Sequence, residues 1–297
     1  MGLDDWGLKV DILKDLNREQ REAVAHRGRP LLLLGPAGTG KTEVLKRRIE
    51  NLISSGITPP ERILVFTEQE EMVGALRPHL QPGYGEFWVN SFTAFCKRVL
   101  RQNYNRVPGI YPNFQVLDGL EERLVLSKIL KSLKIDYYRN VKHTSGFLDE
   151  VVDFIDLWKL NPRVSLPGYG KFKDLKRIYI RYRDYLHKEN RLDFRDLVLK
   201  TIQLFKSHRD ILKNYRERFS HILLDDFQNI DLNEYELFSL LTLKKQEVLF
   251  SGNEEESVFR FRGALPQEVK RRFLTDFEPR IISLSEVVTS SPQIILV

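Results

Sequence analysis

One cysteine in 297 residues, Cys96, excludes an intrachain disulfide and a thiolate zinc cage, and leaves Cys96 itself to be read as a small core residue. Only 17 glycines and 13 prolines accompany 42% hydrophobic and 30% charged residues, which excludes collagen-like, low-complexity and disordered chains. No apolar run approaches the roughly 18 to 20 residues that a membrane span needs. The opening Met1-Gly-Leu-Asp-Asp-Trp6 is acidic where a secretory leader is basic. These absences point to a globular, soluble, cytoplasmic protein without a membrane partner, built as two ordinary domains or as one domain with a large insertion.

What is present is an uneven charge and a patterned chain. The formal charge of +6 is concentrated in two stretches, 97–142 with 10 Lys/Arg against 4 Asp/Glu and 171–218 with 15 against 7. Such an excess suits a nucleic acid, and it equally suits solvated helix faces. Arg29 to Gly35 reads as a buried strand, and Thr42 to Ile53 as a helix. Ile63-Leu-Val-Phe-Thr67 is a second strand, Glu68 to Leu80 a helix, Phe87-Trp-Val89 a third strand, and Ser91 to Arg101 a further helix. Strands alternating with helices imply a parallel sheet covered on both faces. From about Asp118 to Tyr215 the apolar spacing is helical and no strand is expected. Strand-like runs return at His221–Asp225, Glu247–Ser251 and Ile281–Leu284, so the sheet is expected to draw on both ends of the chain. The apolar Ile294-Ile-Leu-Val297 is read as a truncation point or as the first strand of something further.

The strongest motif is Gly35-Pro-Ala-Gly-Thr-Gly-Lys41-Thr42, a G-x-x-x-x-G-K-T run between an expected strand and an expected helix. Gly35, Pro36, Ala37, Gly38, Thr39 and Gly40 curl the backbone so that amide N–H groups and the helix N-terminus face phosphates. Lys41 reaches the terminal phosphates, and the Thr42 hydroxyl holds Mg2+. A second metal-holding carboxylate is expected at the end of a neighbouring strand, and Asp225 in Ile222-Leu-Leu-Asp225-Asp226 supplies it. Asp226 leaves the strand in another direction and could orient or deprotonate an attacking water. Adjacent acids at a strand end are otherwise turn formers.

The order of motifs resembles that of superfamily 1 DNA helicases of the UvrD, Rep and PcrA type. The resemblance rests on Leu16-Asn-Arg-Glu-Gln20-Arg-Glu-Ala-Val24, the phosphate loop, Ser91-Phe-Thr-Ala-Phe-Cys96, Leu192-Asp-Phe-Arg-Asp-Leu197, Asp225-Asp-Phe-Gln-Asn-Ile-Asp231, and the stretch from Gly252 to Ala264. It covers about the N-terminal half of such a helicase. It implies an α/β fold, a RecA-like P-loop NTPase parallel sheet with an inserted all-helical subdomain, with 1–108 and 216–297 forming the RecA-like domain and 109–215 the insertion. It implies ATP and Mg2+ as cofactors, and as partners single-stranded DNA and a second RecA-like domain absent from this chain. Gln20 resembles the glutamine that reads adenine, Gln228 a residue coupling the nucleotide to the neighbouring motif, and Arg262 an arginine near the phosphates. Phe259 and Phe261 resemble rings that stack on bases, although aromatics at i, i+2 are most often core. Phe66, Thr67, Ser91 and Thr93 resemble backbone and base contacts at strand ends.

Departures from the pattern are as specific as the matches. Asp226 stands for the family's glutamate, one methylene shorter. Gly252-Asn253-Glu254-Glu255-Glu256 replaces Gly-Asp-x-x-Gln, so a carboxylate at Glu256 faces the phosphates where an amide would sense them, and repulsion is expected. Glu43 stands for an arginine, Glu68-Gln69 for Asn-Lys, and Val287-Val288-Thr289 for Asn-Tyr-Arg. Two functions of different class therefore stay open: an ATP-dependent DNA helicase or translocase, and a hydrolysis-poor nucleotide-binding scaffold subunit that holds DNA.

Overall fold

A computed structural model describes residues 2–3, 9–10, 12–68, 88–133, 144–160, 169–243, 246–257 and 264–288. The chain divides into two compact units, one of 1–94 with 208–297 and one of 95–207. The sequence reading sets the insertion at 109–215. The helix Arg209–Arg218 lies in the sheet-bearing unit, where its Tyr215 meets Trp88 edge to face.

The first unit is an α/β layer structure. Apart from a two-residue antiparallel pair, Gly2–Leu3 with Lys9–Val10, its strands are β1 (Leu31–Leu34), β2 (Ile63–Phe66) and β3 (Trp88–Asn90), with three more from the far end of the chain. Between the two sets lie the short strands β4 (Gln115–Val116) and β5 (Arg191–Leu192) of the second unit. The later strands are β6 (His221–Leu224), β7 (Glu247–Gly252) and β8 (Arg280–Ser283). The sheet order is β8-β1-β7-β6-β2-β3, and every pairing is parallel. Its inner strands read as unbroken apolar runs, Leu-Leu-Leu-Leu and Ile-Leu-Val-Phe, because helices cover both faces and no side of the strand meets water. The edge strand β8 instead exposes Arg280, Ile281 and Ser283.

Helices α1 (Arg18–Ala25) and α2 (Lys41–Ser54) pack together over β1, joining Ala23, Val24, Val44, Leu45 and Ile49 to the strand leucines. Arg48 of α2 is buried, donating to the Ala23 and His26 carbonyls and to Glu247, so the end of α1 is pinned to the helix that follows the phosphate loop. The expected helix at 68–80 lies outside the described residues from 69 onward. Helix α3 (Phe92–Gln102) carries Cys96, which is fully buried as expected.

The second unit is helical: α4 (Gly119–Ser132), α5 (Thr144–Leu160), α6 (Tyr169–Lys188) and α7 (Phe194–Ser207). Leu126, Val151, Phe154, Ile155, Leu175, Ile178 and Tyr182 form its core. One expectation is corrected here: β5 falls within the stretch from Asp118 to Tyr215 where no strand was expected, and it pairs in parallel with β4 just ahead of that stretch. Two residues per strand are too short for a period-2 pattern to register. The remaining helices, α8 (Arg209–Arg218), α9 (Leu232–Leu241) and α10 (Pro266–Phe277), belong to the first unit. Among the described residues no helix is long and apolar enough to cross a membrane.

Candidate nucleotide-binding site

Strand β1 ends at Leu34, residues 35–40 form a loop, and α2 begins at Lys41. Gly40 takes a left-handed φ of 83°, and a Cβ there would lie 2.7 Å from Gln20 Nε2, so only glycine fits. Gln20 sits over this turn. Its Nε2 donates to the Thr39 carbonyl at 3.0 Å, and its Oε1 accepts from Asn17 N–H at 3.0 Å in the capping box of α1. Thr39 Oγ1 donates to the Pro36 carbonyl at 2.8 Å, tightening the curl. Lys41 is 8% exposed and donates to the Gly35 and Pro36 carbonyls at 2.5 and 3.1 Å. The Glu256 carboxylate lies 3.6 Å from the Lys41 ammonium and also accepts the Ala37 N–H. From the other side, Val288 N–H donates to the Gly38 carbonyl at 2.8 Å.

The acid expected to hold the metal lies one strand further away than expected. Asp225 follows β6, and β7 runs between β6 and β1. It is reached nonetheless, because Thr42 Oγ1 donates to Asp225 Oδ2 at 3.2 Å. Ser251, at the end of the intervening β7, donates to Oδ1 at 2.6 Å. Asp225 is 4% exposed. Burial and the neighbouring Asp226 charge push its carboxyl up to about 6, against the pull of the Ser251 and Thr42 hydroxyls. A hydroxyl and a carboxylate at one point, open to further oxygens from phosphates, are the hard ligands Mg2+ takes, so the residues fit that ion.

Asp226 turns away in a left-handed conformation, φ 56° and ψ 51°, and accepts from Gln228 Nε2 at 3.0 Å. Gln228 is itself buried, and its Oε1 accepts from Asn253 N–H at 3.0 Å. A Cβ on Gly252 would lie 2.2 Å from that Oε1, which explains the glycine at the end of β7. Asp226, Gln228 and the backbone after β7 thus form one hydrogen-bonded chain.

The expected DNA rim is only partly in view. The Phe66 ring is 1% exposed and stacked on Phe92 with centroids 4.2 Å apart, which makes it a core ring rather than a platform for a base. Thr67 is also buried, its N–H donating to the Asn90 carbonyl at 3.1 Å. Ser91 and Thr93 are half-buried at the start of α3, where Ser91 Oγ accepts from Ala94 N–H at 3.2 Å. Phe259, Phe261, Arg262 and Thr289 lie outside the described residues.

The UvrD/REP helicase N-terminal domain family matches residues 16–277. The chain belongs to this family. Among relatives, ATP-dependent DNA helicase PcrA of Bacillus subtilis is 31% identical over 258 residues, covering 85% of this chain and 34% of that protein. PcrA of Staphylococcus epidermidis is 30% identical over 264 residues, 87% of this chain and 36% of that protein. ATP-dependent DNA helicase UvrD1 of Mycobacterium bovis is 29% identical over 283 residues, 90% and 36%. The chain therefore spans about a third of the length of the curated relatives it matches. In this chain Gln20, Lys41 and Glu256 bond to the loop itself, Thr42 reaches Asp225, and Gln228 stands behind them, bonded to Asp226 and to Asn253. Sequence reading did not single out Ser251, whose only signal is a hydroxyl closing the apolar run Val248-Leu-Phe-Ser251. The Val288 contact had no signal at all, being made by backbone.

Proposed function

We propose that this chain is the N-terminal portion of an ATP-dependent DNA helicase or translocase, and that it binds ATP with Mg2+ at residues 35–42 and single-stranded DNA along the rim of strand ends. The observation that carries the reading is the 3.2 Å hydrogen bond from Thr42 to Asp225. It joins a glycine-rich loop, a helix N-terminus, a lysine and an acid at the carboxyl edge of a parallel sheet, the place where such sheets take ligands. Its likeness to the DNA helicases UvrD1 and PcrA supports it.

In this reading Gly35, Pro36, Ala37, Gly38, Thr39 and Gly40 offer backbone N–H groups to the phosphates, and Lys41 neutralises them. Thr42 and Asp225 hold Mg2+, which supplies charge neutralisation across the phosphates. Gln20 faces the base, Asp226 orients the attacking water, Gln228 ties Asp226 to β7, and Arg262 stands near the phosphates. Thr67, Ser91, Thr93, Phe259 and Phe261 meet the DNA, with Phe66 contributing its backbone alone. A second RecA-like domain closes the cleft in the full protein, which works in the cytoplasm. Lys41→Ala is expected to abolish binding of a fluorescent ATP analogue, and unchanged affinity would refute the site.

A second reading, a hydrolysis-poor nucleotide-binding scaffold that holds DNA, is favoured by one feature. The carboxylate meant for the attacking water, Asp226, is engaged by Gln228. DNA-stimulated ATP hydrolysis by the full-length protein separates the two readings, and its absence selects the scaffold.

A further inference from the structure

The phosphate loop holds an anion made by the protein itself. Glu256 ends a short turn, Glu254–Glu256, that directly follows β7. That turn is anchored at three points. Asn253 N–H donates to Gln228 Oε1, Asn253 Oδ1 accepts from Glu255 N–H at 3.2 Å, and Glu254 pairs with Lys270 of α10. The backbone that carries Glu256 is thus held beside the loop, and the carboxylate is placed by its own contacts with the loop. One of its oxygens accepts the Ala37 N–H and the other lies 3.6 Å from Lys41 Nζ. A backbone amide of the loop and the loop's lysine are the two kinds of donor that a phosphate oxygen needs there.

A carboxylate and a phosphate are both anionic acceptors, and two of them cannot share one N–H and one ammonium without repulsion. We propose that Glu256 is an internal competitor for the nucleotide's phosphates and sets the affinity of the loop. The inference rests on the nucleotide-site reading above and adds to it a cost of entry. The phosphates take the Ala37 N–H and Lys41 only as the carboxylate withdraws. A glutamine at this position keeps the oxygen that accepts from Ala37 and lacks the charge, so it yields to phosphate more readily.

The test compares the wild-type chain, Glu256→Gln and Glu256→Ala for binding of a fluorescent ATP analogue with Mg2+, with Lys41→Ala alongside. Removing one like charge is expected to tighten binding by about tenfold in Glu256→Gln, with Glu256→Ala moving the same way. Melting without nucleotide should stay level or fall in both variants, while the rise produced by nucleotide grows. A residue that merely braced the loop would shift affinity in the opposite direction. If the wild type binds and neither variant binds more tightly, the competitor is overturned and the site stands. If neither the wild type nor the variants bind, the site itself is refuted and the competitor with it. A poorly folding Glu256→Gln leaves Glu256→Ala to decide the same question.

Discussion

Among the described residues, each unit of the chain buries one lysine in a polar setting, and the two settings differ in kind. In the helical unit, Lys159 near the end of α5 meets two carboxylates, bonding Asp193 and lying 2.8 Å from Asp196. Its ammonium also sits 5.6 Å from the centre of the Tyr182 ring. Burial disfavours the Lys159 charge, yet the two aspartates outweigh it and hold the lysine above its ordinary range. In the sheet unit, Lys41 rests on the neutral carbonyls of its own loop and on one carboxylate 3.6 Å away. Lys159 is closed off by charges that cannot leave, because Asp193 also caps α7 through Asp196 N–H and accepts from Tyr182. The partners of Lys41 are weak and exchangeable. The difference separates a cation that holds helices together from one that can pass to an arriving anion.

The sharpest way to break this contrast is Lys159→Ala. It leaves the buried Asp193 and the half-buried Asp196 without their cation, and removing one partner of a buried pair typically costs about 3–5 kcal/mol. Urea denaturation should register a loss of that size, and nucleotide affinity of the folded fraction should not change. A loss under about 1 kcal/mol, or a parallel loss of nucleotide binding, would erase the distinction between the two lysines.

A smaller effect sharpens the other side. Ser251 supports Asp225 from β7 at 2.6 Å without facing the phosphates' own donors. Partners behind a metal-holding group commonly matter about tenfold or more in metal affinity. Ser251→Ala should therefore raise the Mg2+ concentration for half-maximal nucleotide binding by roughly tenfold, while melting without metal and nucleotide stays close to the wild type. Equal Mg2+ dependence in the two proteins would show that Asp225 needs no support from β7.

The same contrast marks what could be read from sequence. The loop from Gly35 to Thr42 was legible because a glycine-rich turn between a strand and a helix is built from backbone, and a contiguous run records it. The strands were legible for a related reason, since burial on both faces leaves an apolar run such as Leu31-Leu-Leu-Leu34. What stayed hidden was made by residues far apart. Glu256 and Ala37 are 219 positions apart, and Lys159 and Asp193 are 34 apart. No local period encodes such pairs. Leu192-Asp-Phe-Arg-Asp-Leu197 could be recognised as a motif, but its work in this unit, clamping Lys159 and capping α7, became visible only with the helices in place. Phe66 shows the opposite case. Its place at a strand end suggested a rim contact, and stacking on Phe92 makes it core. Position along a strand says which end a residue occupies and nothing about which way the ring is covered.

The mildest test concerns the group beside the Lys159 clamp that is not neutralised. Tyr182 has one hydroxyl proton and two acceptors for it, Glu122 at 3.0 Å and Asp193 at 3.1 Å. Burial and the Asp193 charge raise the Glu122 carboxyl from 4.5 to about 7, against the lowering effects of the Tyr182 hydrogen bond and Lys159. The folded state therefore holds a proton on Glu122 that the unfolded chain releases from about 4.5 upward. The stability contributed by Glu122 is therefore intact below about 4.5, declines as pH rises through the window, and is fully lost above about 7. Glu122→Gln keeps an acceptor for Tyr182 and removes the ionisation. At pH 5 the variant should melt near the wild type, and at pH 8 it should melt about 2 °C higher, the shift that roughly 1 kcal/mol produces in a protein of this size. Melting curves of both proteins across pH 4.5 to 8 decide the matter. A variant that melts lower at pH 8 would mean that the Glu122 charge is welcome in the helical unit. Lys159 would then have to be counted as neutralising three acids rather than two.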